Sequence, residues 1–324
     1  VIYLLRRLGF YVVAWCVSLT LNFFIPRLAP GDPASALEAQ FQGRLDPAAF
    51  EAMRVAFGLS DEPATVLFVK YLKNLARGDL GVSIAHFPAP VSEVIGQGLL
   101  WTLFLSGLAL AISFSLGTLL GTVLGFFRGG RADAIVSSIF TLFGAFPYFW
   151  LAMILLYGGG FMTGLFPLRH AYSDGLRPSW SLEFAVDVLH HAFLPALAIV
   201  LASAGGWLIT MRSSMMSVLG EDFILLARAK GLSQARVMLR YAAPSAILPS
   251  LTGFGMALGF ILSGSLLTEV VFSYPGQGYL FFEAVKSLDY PLMQGLFLSI
   301  TSSVLLANMA VDVGLVFFDP RLRK

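Results

Sequence analysis

Four basic residues, Arg228, Lys230, Arg236 and Arg240, stand between Glu221 and Pro249, with a long apolar run on either side. A stretch so charged cannot sit in hydrocarbon, so it faces water at one surface of a membrane. Its first half has the spacing of a short helix. Glu221 and Asp222 lie at the positive N-terminal end, Arg228 and Lys230 at the negative C-terminal end, and Gly231 can take the left-handed position that closes a helix. Phe223, Ala227 and Gly231, at i, i+4 and i+8, make one stripe along it. Ser233 can cap a second helix that ends at Pro244.

Candidates for covalent chemistry are few. The chain has no G-x-x-x-x-G-K-[ST] cradle, nor any Gly-Lys pair, so a Walker-type nucleotide site must belong to a partner. The G-x-S-x-G, H-E-x-x-H and EF-hand patterns are absent too. Glu269 and Asp312 are acids within apolar runs. An ionised group there costs about 2.5–3.5 kcal/mol on insertion scales, so both must face the interior or reach water. They lie near opposite ends of their spans with no basic residue inside any span, which makes a poor proton relay. Asp312 therefore reads as a structural hydrogen-bonding group, with Asn308 one turn back as its partner. Glu269 lies close to where an external gate would be. Phe146, Phe149 and Trp150, beside Pro147, form an aromatic cluster suited to packing, or to a passing sugar ring or apolar side chain. His190-His191 reads as an interfacial pair and Cys16 as a buried, inert thiol. No metal site is expected, and nothing in the chain suggests a nucleic-acid partner.

The elements that hold these residues are membrane spans. The chain is 57% hydrophobic and 12% charged, against roughly 25% charged in soluble domains, so the expected class is an all-α polytopic membrane protein. Six runs can cross about 30 Å of hydrocarbon, near 8–26, 99–127, 135–158, 192–211, 245–271 and 292–318. Gly117, Gly121 and Gly125 make a tandem small-residue face on the second, which reads as close helix packing. Arg6 and Arg7 precede the first run and no A-x-A-like cleavage site follows it, so a retained span is expected. Counting basic residues orients the bundle. The side that holds Arg6, Arg128, Arg212, the Glu221–Pro249 stretch and Lys324 carries twelve of them against four acids. Both termini and that stretch are therefore expected in the cytoplasm.

The segment from Arg27 to Gly98 is then extracytoplasmic. Pro47–Arg54 and Val66–Leu75 have helical spacing, and Pro30-Gly31-Asp32-Pro33 and Gly78-Asp79-Leu80-Gly81 read as turns. A second external loop covers about 159–189. In the third, Pro275-Gly276 fits a type II turn with glycine at the positive-φ position.

Ala227-Arg228-Ala229-Lys230-Gly231-Leu232, with Pro244 thirteen residues after Gly231, resembles the cytoplasmic coupling loop of ABC-importer permeases. The turn quartets, Phe57-Gly58-Leu59, Pro90-Val91-Ser92, Phe272–Gly278, Asp289-Tyr290-Pro291 and Asp319-Pro320-Arg321 are similar, in order, to the oligopeptide/dipeptide/nickel branch of that family. Leu225 and Leu226 depart from the acid and alanine of the broader motif. The resemblance implies a type I importer permease core of six helices, organised as 1–26 (tail and first span), 27–98 (external region) and 99–324 (core, with the coupling loop at about 212–244). It implies a prokaryotic inner-membrane subunit that is not itself an enzyme and carries no cofactor. ATP and Mg would be held by two partner ATPase subunits. A second homologous permease chain and an extracytoplasmic substrate-binding protein would complete the assembly. Oligopeptides or dipeptides are the implied cargo, with oligosaccharides or nickel as the alternative and a stand-alone secondary transporter as the weaker one. The coupling residues would be Glu221, Asp222, Phe223, Ala227, Arg228, Ala229, Lys230, Gly231 and Leu232. Phe146, Phe149, Trp150 and Glu269 are candidates for the gate or pathway.

Overall fold

Apart from an isolated bridge between Val82 and Pro90, every regular element among the described residues is helical. The computed structural model describes residues 2–28, 51, 54, 55, 57, 62–260 and 266–318. The helices are α1 (Ile2–Leu28), α2 (Ala64–Ala76), α3 (Val91–Phe126), α4 (Arg131–Gly144), α5 (Tyr148–Leu155), α6 (Leu182–Val218), α7 (Asp222–Ala229), α8 (Gln234–Arg236), α9 (Ala243–Ala246), α10 (Leu248–Phe260), α11 (Leu266–Val271), α12 (Gln277–Lys286) and α13 (Tyr290–Phe318). Wider π-helical turns, Leu156–Met162 and Val237–Ala242, follow α5 and α8. Most of the helix expected over 47–54, the 30–33 turn, part of Phe57-Gly58-Leu59 and the 319–321 motif lie outside the described residues.

Among the described residues four helices, Arg6–Leu28, Val91–Phe126, Leu182–Val218 and Tyr290–Ala310, are long and apolar enough to cross a membrane. A fifth crossing exists if α4 and the helix after it count as one span, but these bend by 97°. The single straight span expected over 135–158 is thus corrected. Pro147 has no N–H to donate and disfavours helical geometry at Phe146, so the helix stops and restarts in a new direction. The run expected over 245–271 is represented by α10 and α11, which flank residues 261–265 outside the described set.

The chain divides into two compact units, Val1–Thr102 with Pro275–Lys324, and Leu103–Tyr274. In the first, α1 packs along α13. Tyr11, Leu19 and Phe23 turn inward, whereas Phe10, Val13 and Val17 stay exposed. Cys16 falls on the exposed side, contrary to the expected buried thiol, on the face of α1 that also carries the exposed Val12 and Val13. Asp312 on α13 accepts from Tyr11 Oη at 2.5 Å and pairs with Arg7 Nη1 at 3.2 Å. Its partners are thus on another helix, not Asn308 on its own, and Arg7 shows that a basic residue does lie near a span end. Asp312→Leu is expected to loosen α1 from α13 by about 1–3 kcal/mol, the cost of removing the carboxylate that the buried Tyr11 hydroxyl donates to. Asp312→Asn, which keeps an acceptor for Tyr11, should lose less. Thermal unfolding of the purified chain in detergent checks both.

The same unit has a core of Val91, Ile95, Leu280, Ala284, Leu292 and Leu296 from α3, α12 and α13. Asp289 is fully buried and caps α13 through Leu292 N (3.0 Å), while its other oxygen accepts from Ser83 Oγ (2.6 Å) and Ala85 N (3.0 Å). Gly78 and Gly81 both take positive φ, as the turn quartet requires. Gly276 does not. With φ −85° and ψ 176° it is the extended residue before α12, so the expected type II turn gives way to a helix start.

In the second unit α6 is the pillar. Ser181 starts it by accepting from Phe184 N. A β-carbon on Gly117, Gly121 or Gly125 of α3 would fall 2.5, 2.5 or 2.6 Å from Trp207, Leu208 or Met215 atoms of α6. Gly205 meets Phe140 of α4 equally closely, at 2.5 Å. The small-residue stripe is packing, as its spacing implied. Asp133 at the start of α4 is held by both Nε (2.6 Å) and Nη2 (2.8 Å) of Arg212, and by Gly129 N at 3.0 Å.

Candidate functional site

The Glu221–Pro249 stretch follows α6 after a single turn. Glu221 is extended (φ −78°, ψ 147°) and heads α7, with Asp222 in the first turn and Arg228 in the last, so both charges complement the helix dipole. α7 closes with paired bonds, Gly231 N to Arg228 O (2.9 Å) and Leu232 N to Ala227 O (3.4 Å), while Gly231 sits at φ +74°. This is the Schellman arrangement, and it needs a residue that tolerates the left-handed region. Ser233 then begins α8 in extended geometry, but its side chain makes no capping bond. The helical path does not end at Pro244 as expected. The π-helical turn Val237–Ala242 widens the spiral just before it, and Pro244 enters the first turn of α9, where its missing N–H leaves no bond unmade.

Ile224 and Ala227 of α7 are buried against Met211, Met215, Val237, Ala242 and Ala246. The buried face is therefore i and i+3, and it crosses the Phe223–Ala227–Gly231 stripe at Ala227 because steps of four drift about 40° around a helix of 3.6 residues per turn. Of that stripe only Ala227 points inward. Phe223, Leu225 and Leu226 are 41%, 56% and 57% exposed, among exposed Arg228, Ala229 and Lys230. Leu232 is half-buried. The result is a short helix clamped from behind that presents an apolar patch edged by positive charge. A surface of this kind can dock a partner.

The candidate pathway residues are only partly brought together. Phe146 and Trp150 stack across the 97° break, ring centroids 5.0 Å apart, with Trp150 44% exposed and Phe149 half-buried. Glu269, on α11, is 1% exposed. α11 packs on α5. His190 bonds Leu165 O (2.9 Å) and rests near Phe166, and His191 bonds Asp187 O (2.9 Å). Among the described residues no three His, Cys, Asp or Glu gather as metal ligands. Two polar links escaped sequence reasoning, Asp133–Arg212 and Arg7–Tyr11–Asp312. Charge counting placed Asp133 and Arg212 on one side of the membrane, but sequence offered nothing that paired them.

Several long apolar helices, with a short charged helix held against the bundle on one face, define a helical, multi-span membrane protein. The chain is a member of the binding-protein-dependent transport system inner membrane component family, whose sequence profile matches residues 117–324. Its relatives include the probable D,D-dipeptide transport system permease protein DdpB of Escherichia coli, 34% identical over 93% of this chain and 92% of that protein. The di/tripeptide transport system permease protein DppB of Pseudomonas aeruginosa is 31% identical over 99% and 98%. The oligopeptide transport system permease protein AppB of Bacillus subtilis is 30% identical over 99% and 98%. The chain is thus an inner-membrane, multi-pass permease of a binding-protein-dependent transport system.

Proposed function

We propose that this permease carries peptides inward, driven by ATP that is hydrolysed on two partner ATPase subunits seated against α7. The observation that carries the reading is the α7 surface, where Phe223, Leu225 and Leu226 stand exposed on a helix whose other face is locked into the core. A rigid backing lets a push at this patch reach α6 and α9 rather than dissipate in a loop. The peptide cargo is inferred from the names of the relatives, which are di-, tri- and oligopeptide permeases. A second permease chain and an extracytoplasmic binding protein complete the assembly, with both termini in the cytoplasm. The six-span count follows if the bent pair of α4 with α5 and its π-helical extension forms one crossing and α10 with α11 forms another. Phe146, Phe149, Trp150 and Glu269 stay as candidates for the pathway.

The test is uptake of a labelled dipeptide into vesicles that hold the chain with its ATPase subunits. Leu226→Glu touches only an exposed position, so stability should stay within about 0.5 kcal/mol. ATP-driven uptake should nevertheless fall at least tenfold and the ATPase subunits should cease to co-purify. Gly231→Asp should likewise lose uptake, with a left-handed-backbone strain of about 1–2 kcal/mol that leaves the bundle folded. Uptake driven by an ion gradient, without any ATPase chain, would sink the reading.

A further inference from the structure

The first unit holds a cavity of about 150 Å³ between the end of α1, α2, the Gly78–Gly81 turn and the start of α13. Its walls include Arg27, Lys70, Tyr71, Asp79 and Gln294. Gln294 is 8% exposed, yet its Nε2 has no partner, and the buried Tyr71 Oη has none either. Folded chains rarely leave such donors unmet unless something else accepts from them. Arg27 spends one N–H on Phe23 O (2.9 Å) and stacks its guanidinium 3.7 Å above the Phe23 ring; no acid among the described residues pairs with it. Lys70, by contrast, is tied to Glu62 at 2.6 and 2.7 Å, and one oxygen of Asp79 accepts from Gly81 N at 2.9 Å.

The cavity therefore combines a cation available to a ligand, two unmet neutral donors and one negative wall. A guanidinium with flanking donors is the arrangement that takes an oxyanion, bidentate where geometry allows. Asp79 adds negative charge beside it, which disfavours a dianion such as phosphate. We propose that this cavity binds a monoanionic carboxylate, held by Arg27 with Tyr71 and Gln294. Resting on the peptide-permease reading above, that carboxylate is the C-terminus of a peptide.

The experiment is calorimetric titration of the full-length chain in detergent with acetate, dialanine and dialanine amide. Acetate and dialanine should bind, and the amide at least tenfold more weakly. Dialanine no tighter than acetate would make a free carboxylate the ligand and leave the site standing. Tyr71→Phe and Gln294→Met keep side-chain size but remove a donor, and each should weaken acetate binding at least tenfold. Their thermal midpoints establish that they are folded, and either variant suffices if the other is not. No acetate or dialanine binding to the wild-type chain overturns the proposal, as does unchanged affinity in a folded variant. Failed ATP-driven uptake with binding intact would count against the permease reading alone, and lost binding with uptake intact against this site alone.

Discussion

Replacing Gly121 with leucine is expected to leave little folded chain to purify. A β-carbon there would already lie 2.5 Å from Leu208 O, 2.8 Å from Met211 Cβ and 3.0 Å from Arg212 N. Two of those atoms are backbone and cannot swing aside, so α3 and α6 must separate along the whole glycine stripe. Overpacking of a tight interface costs about 1–3 kcal/mol for small additions, and more where nothing can yield. Gly121→Ala should fall in that range, and leucine beyond it, a large part of the roughly 5–15 kcal/mol that holds a domain folded. Gly107, on the same helix with nothing within 4 Å, is the control. Gly107→Ala should be neutral or stabilising by up to about 1 kcal/mol, from helix propensity alone. Thermal unfolding midpoints in one detergent decide the matter, and equal midpoints for Gly121→Leu and Gly107→Ala would refute the close packing.

Asp133→Ala should destabilise the second unit by about 3–5 kcal/mol, the range for removing one partner of a buried ion pair. Asp133 is 4% exposed and receives a two-pronged grip from Arg212, with Gly129 N as a third donor. Without the carboxylate, the guanidinium is left half-buried with no counter-charge and α4 loses the tether that fixes its first turn on α6. Arg212→Ala should be similarly costly, for the reciprocal reason. The double substitution should cost less than the sum of the two, with a coupling energy of about 0.5–3 kcal/mol. Strict additivity in that cycle would mean that the pair contributes nothing beyond its separate groups.

What could be read from sequence was whatever depends on local periodicity and composition. The apolar runs gave the helical membrane class. Asp222, Arg228 and Gly231 gave the start and end of α7 nearly to the residue, since caps and dipole complements act within one turn. The Gly117–Gly125 spacing gave a close-packing face. Local signals misled where a neighbouring element competed for the same residues. Gly276 became the lead-in to α12 rather than a turn glycine, and Pro244 entered the first turn of α9 behind a π-helical turn. Pro147 broke its span by 97°, although prolines are often tolerated inside membrane helices.

The sequence by itself determined the class of this protein, the positions of most of its spans and the place of the charged stretch between them. Hydrophobic run length and end charges set these things without reference to distant residues. Only the tertiary structure decided which face of α7 is locked inward and which is offered outward. It also decided that Asp312 answers to Arg7 and Tyr11, that Asp133 answers to Arg212, and that Arg27, Tyr71 and Gln294 line one cavity. The reason is physical. Spans in a bundle are apolar on most sides, so periodicity cannot tell a face that meets a helix from one that meets lipid, and polar partners far apart in sequence are chosen by packing alone.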